Sequence, residues 1–267
     1  MPAATDTDIA SLVNTDTHTL LPADSNQALG IAQYAIDFMW SDDPAKRGEP
    51  SEAVLERTSL FYTDACLCGV SAIALGTNAP LILREEALRY EVPSTGVKRG
   101  AAWTENTVRA GVPVFGSNID VAVEKAIAAN CAAVREWDSN GTNFGFNPAL
   151  GHTAGEFGHN DFYAVPVAAA QLRGMDGEFA LRGMVLLDEI RGRLAEVFSL
   201  KSYKIDHVVH GAIASAATFG AMMGATAAQI ESAIGMVVAH YIPFRAIRAG
   251  KQLSDSKGAS AAISTEA

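Results

Sequence analysis

"SNIDVAVEKAIAANCAAVREW", Ser117 to Trp137, places its apolar residues at a helical spacing. Ile119, Val123, Ile127, Cys131 and Val134 fall at i, i+4, i+8, i+12 and i+15, which is one stripe on a 3.6-residue repeat. Ser117 and Asp120 at its start read as a capping box. The same period continues outward and predicts helices over roughly 26–40, 51–75, 79–90, 161–173, 177–198, 206–223 and 226–240. Several are rich in Ala and Gly, as in "HGAIASAATFGAMMGA" (His210–Ala225), whose small side chains let helices approach closely. No strand-like alternation is sustained and no internal repeat occurs. The prediction is an all-α multi-helix bundle over residues 26–267, preceded by a flexible N-terminal segment, 1–25.

Composition narrows the function. Of the 267 residues 49% are hydrophobic and 19% charged, a core-rich globular balance. A formal charge of −10 argues against a nucleic-acid partner, because phosphate binding needs a basic footprint. Any small anion must then be held by a local group of cations. The three cysteines are Cys66 and Cys68, a C-x-C in an apolar run, and Cys131. That spacing lacks the paired C-x-x-C of a zinc or iron–sulfur site and reads as small buried hydrophobes. The first 25 residues carry four Asp and no Arg, unlike a secretory or transit leader, and no uncharged apolar run approaches a membrane span. A soluble, cytoplasmic protein is expected.

Two long loops interrupt the helices, at 91–116 and within "REWDSNGTNFGFNPALGHTAGEFGHNDF" (Arg135–Phe162). Long loops in compact helical domains are often functional. Asp138, Asn140 and Thr142 open the second loop, and His159 and Asp161 close it. Singly, each is explained as a turn or capping residue. Together they make a carboxylate, imidazole and hydroxyl set suited to acid–base work. A second group follows in "YKIDHVVHG", with Asp206, His207 and His210 at the opening of a helix. His207 and His210 share a face at a spacing that could ligate a metal, but no H-E-x-x-H pattern accompanies them. "FRAIRAGKQLSDSKGASAAIS" then supplies Arg245, Arg248, Lys251 and Lys257, a candidate anion site on an acidic chain.

"WDSNGT", "GHNDFYAVPVAAAQ", "DHVVHGAIASAATFGAMMG" and "FRAIRAGKQLSDSKGASAA" fall in an order and spacing that resembles the MmgE/PrpD family, from about residue 26 onward. That family includes 2-methylcitrate dehydratase and cis-aconitate decarboxylase. Its D-x-N-x-T pattern is matched by Asp138, Asn140 and Thr142, its G-H by Gly158 and His159, its D-H-V by Asp206, His207 and Val208. Its R-x-x-R and downstream Lys fall on Arg245, Arg248 and Lys257. Where members often carry His-Pro-Ser, this chain has His159-Asn160-Asp161.

The resemblance implies metal-independent dehydration of 2-methylcitrate to 2-methylaconitate, a step of propionate catabolism, with no cofactor and in a homodimer. It assigns Asp138, His159 and Lys257 to catalysis. Asn140, Thr142, His207, Arg245 and Arg248 are assigned to binding a small tricarboxylate. The alternatives are another activity of the family, such as cis-aconitate decarboxylation, or a non-catalytic helical dimerisation domain. Family members join the helical domain to an α+β lid. Ala267 falls before any such lid, so an open cleft and little or no turnover are expected of these 267 residues alone.

Overall fold

The computed structural model describes residues 24–93, 108–143, 149, 157–197, 200–244 and 256–267. Nine α-helices account for most of these residues: α1 (Gln27–Trp40), α2 (Glu52–Ala74), α3 (Asn78–Leu88), α4 (Val123–Arg135), α5 (Ala164–Arg173), α6 (Gly177–Val197), α7 (Val208–Met223), α8 (Ala227–His240) and α9 (Ser256–Glu266). A small antiparallel ribbon pairs β1 (Val112–Pro113) with β2 (Asp120–Val121), Val112 opposite Val121. Turns of 3-10 helix span His159–Phe162 and Leu200–Tyr203. The all-α expectation holds.

α4 is the centre of one half, packed against α2, α3, α5 and α9. From Ala126 to Arg135 every residue except Asn130 is buried. The single apolar stripe read from the sequence is therefore too narrow. Alanines on the other faces touch neighbouring helices directly, so the helix is enclosed all round. α7 plays the same part in the other half, against α1, α5, α6, α8 and α9.

The start of α4 also differs from the expectation. The helix begins at Val123, and Ser117 with Asp120 makes no capping box. Ser117 Oγ accepts the Ile119 N–H at 3.0 Å in a local turn, and Ile119 is 38% exposed. Asp120 lies in β2 and pairs with Arg109. Strand pairing with Val112 and Pro113 satisfies the backbone that the helix would have claimed. α8 does start on a capping box, between Thr226 and Gln229. Among the described residues no single helix is long and apolar enough to cross a membrane, and the apolar pair α2 and α3 is bent by 90° at its junction.

Candidate functional site

The two ends of the Arg135–Phe162 loop meet. Arg135, the last residue of α4, is buried and extends Nη1 to Asp138 Oδ1 at 2.8 Å and to Asp161 Oδ2 at 3.3 Å. Asp138 turns the chain out of the helix at φ 52, a left-handed conformation that Asp tolerates. Asn140 then donates from Nδ2 to Asn160 Oδ1 and to Asp161 Oδ1, both at 2.7 Å. Gly141 N–H donates to Asp64 Oδ2 at 2.7 Å, and Asn160 Nδ2 reaches the same oxygen at 2.9 Å. Thr142 N–H donates to His159 Nδ1 at 2.9 Å.

Glycine is required at two positions of this arrangement. Gly141 has φ +68, and a Cβ there would stand 2.5 Å from His159 Nδ1. Gly158 has φ +67, and a Cβ would stand 2.5 Å from Arg135 Nη1. Both need the left-handed region and the missing side chain.

His159 is 1% exposed, with its ring edge-on to Phe61 at 4.3 Å and to Tyr163 at 5.8 Å. Burial, reinforced by the nearby Arg191 charge, pushes its pKa down to about 4, so the imidazole is neutral at neutral pH. With Nδ1 accepting from Thr142, its proton sits on Nε2. Asp161 is fully enclosed. Burial raises its pKa, and Arg135 and Arg191 pull against that rise. The Asp138 side chain, by contrast, is 31% exposed, and Thr142 is exposed as well.

The structure thus brings Asp138, Asn140, Thr142 and His159 into one network. The second group lies at the opening of α7. Asp206 accepts the Val208 N–H at 3.2 Å, and His207 Nδ1 is 3.5 Å from the Asp206 carboxylate. Asp206 N–H donates to Pro243 O at 2.9 Å, which brings the chain leading to Arg245 against this end of the helix. The groups are linked through Phe162, whose ring lies so close to Gly211 that a Cβ there would overlap it, at 2.1 Å. Arg245, Arg248 and Lys251 lie outside the described residues, as does the side chain of Lys257. Among the described residues no three His, Cys, Asp or Glu side chains are grouped as for a metal ion.

Three charged residues of the network were not singled out from the sequence. Asp64 sits on the apolar helix α2, Arg135 reads as a C-terminal helix cation, and Arg191 is one of several charges on α6. Arg191 is fully buried. Its Nη1 donates to the carbonyls of Gly158 at 2.8 Å and His159 at 2.9 Å, and its Nη2 to that of Phe157 at 3.3 Å. Its guanidinium lies 5.0 Å from the Phe162 ring. Asp64 was the legible one, as a lone carboxylate within "FYTDACLCG".

A cavity of about 320 Å³ between α4, α7, α8 and α9 is lined largely by apolar residues, among them Ile127, Phe219, Ile230 and Met236, and holds none of this network. The family model of the MmgE/PrpD N-terminal domain matches residues 43–267. α1 precedes that match yet packs on α6, α7 and α8.

Proposed function

The chain belongs to the MmgE/PrpD family, and we infer that its site handles a proton beside a carboxylate, in the dehydration of a 2-methylcitrate-like acid to its unsaturated product. The supporting observation is Asp138, a carboxylate held by Arg135 at 2.8 Å yet open to solvent beside Thr142. Asp138 takes the C–H proton, the freed electron pair becomes the new double bond, and the β-hydroxyl leaves as water with a proton supplied by Lys257. Charge gathering on the substrate carboxylate in the transition state needs fixed cations and hydrogen-bond donors. Arg245, Arg248 and His207 hold the carboxylates, with Asn140 and Thr142 shaping the near wall.

The chain works as a homodimer in this proposal. Leu60, Leu67 and Val70 on α2 are 57%, 66% and 53% exposed and share one face with Thr63. A second copy covers that stripe. An absorbance assay for the unsaturated acid, run on 2-methylcitrate with the wild-type chain and with Asp138→Asn, tests the chemistry. Slow product formation by the wild type, with a further loss of roughly 10²–10⁴ in the variant, is the expected result. Equal rates in both would remove Asp138 from the reaction.

A further inference from the structure

His159 is enclosed. A substrate dissolved in water cannot touch a ring that is 1% exposed and held edge-on between Phe61 and Tyr163. Its Nδ1 lone pair is already used, at 2.9 Å, by the Thr142 N–H. The return contact runs from His159 N–H to Thr142 O at 3.4 Å. Residues 140–142 are thereby joined to residues 158–161 at several points. Asn140 bonds Asn160 and Asp161, Gly141 bonds Asp64, and Asp64 bonds Asn160. Behind the turn, Arg191 holds the carbonyls of Phe157, Gly158 and His159.

We infer that His159 is a positioning residue: seated by Arg191 and Asp64, it fixes the Asp138–Thr142 segment for the substrate and carries no proton in the reaction. This rests on the function proposed above, in which Asp138 meets the substrate. Its neutrality fits the assignment, because burial and Arg191 together disfavour an imidazolium. A fixed, neutral acceptor is what the Thr142 N–H needs. An imidazole that gained a proton at Nδ1 would break that hydrogen bond and release the segment it holds.

Asn and Gln at this position separate the two roles. His159→Asn places an amide oxygen near the site of Nδ1 and can still accept from Thr142. His159→Gln sets its amide near Nε2 and cannot. Two quantities are read on the whole chain: hydrogen exchange of the Thr142 amide by NMR, and the rate of proton loss from 2-methylcitrate as a function of pH. With His159→Asn, Thr142 is expected to stay protected, the rate to fall about tenfold, and the pH profile to keep its shape. With His159→Gln, Thr142 protection is expected to disappear and the rate to fall by 10² or more, within the range for a lost catalytic arrangement.

A hundredfold or greater loss in His159→Asn with Thr142 still protected would overturn the inference and make the imidazole a proton carrier. Equal Thr142 exchange in wild type, Asn and Gln forms would overturn it too. Absence of any reaction by the wild type counts against the proposed function alone. Thr142 exchange still decides whether His159 holds the segment.

Discussion

Asn140 and Asp161 stand 21 residues apart in the chain and meet at 2.7 Å, so the long polar loop closes on itself at its base. The carboxylate at that junction is fully buried, and Arg135 is its counterion at 3.3 Å.

Removing the counterion strands the charge. Arg135→Met is expected to cost about 3–5 kcal/mol, the usual penalty for breaking a buried pair from one side. Denaturant unfolding reads it, and Asp161→Asn added to Arg135→Met should recover part of the loss. A cost under about 1 kcal/mol would mean that Asp161 is already protonated in the native protein, the direction in which burial pushes it.

Gly158→Ala combines a left-handed backbone with a clash. The backbone alone costs about 1–2 kcal/mol for a residue with a Cβ, and the new methyl would crowd Arg135 Nη1 from 2.5 Å. A total loss above about 2 kcal/mol is expected by thermal or denaturant unfolding. Wild-type stability in Gly158→Ala would show that the turn relaxes freely and that its geometry is not held by Arg135.

His159, buried, and Asp188, half-buried with its Oδ1 enclosed, give stability opposite slopes with pH. His159 has a folded pKa of about 4 against 6.5 for the free side chain, so its contribution is whole above pH 6.5 and is lost as pH falls toward 4, roughly 3 kcal/mol in all. Asp188 accepts the Tyr163 hydroxyl at 2.6 Å, and burial raises its pKa from 3.8 to about 8. Its contribution is whole below pH 3.8 and is lost as pH rises through 8. Between pH 6.5 and 8 only Asp188 of the two changes protonation, which predicts a fall of about 2 kcal/mol as pH rises. Asp188→Asn should flatten that interval, and a flat wild-type profile there would place the Asp188 carboxylate in water.

Leu67 lies in the middle of the exposed apolar stripe on α2. Leu67→Glu is expected to convert a dimer to a monomer in light scattering while leaving the helical circular dichroism unchanged. A wild-type monomer at micromolar concentration would contradict the dimer, and a dimeric variant would move the interface to another face.

The helices were legible because their periods are local, and α1 to α3 and α5 to α8 lie within a few residues of the ranges read from sequence. The start of α4 was not, since Asp120 to Ala122 pair not only with Val112 and Pro113 but also with Tyr90 to Val92, a segment far off in the chain. The polar loop announced Asp138, Asn140, Thr142 and His159 by composition. Its clamps did not announce themselves: Arg135 and Arg191 are ordinary helix cations until the fold encloses them. Nor does the sequence tell an exposed His from an enclosed one, because burial of His159 depends on Phe61 and Tyr163 from other segments.

Removal of a proton beside a carboxylate at this site can be read by proton NMR in D₂O. Incubating the chain with 2-methylcitrate reads deuterium entering the C–H position and unsaturated product in one spectrum. The exchange needs only the base and the groups that hold the anion, so it reports even where dehydration is slow. Exchange or product with the wild type, and a loss of roughly 10²–10⁴ with Asp138→Asn, are expected. A 2-methylcitrate spectrum that stays unchanged with the wild type, or changes equally fast with Asp138→Asn, contradicts the proposed function.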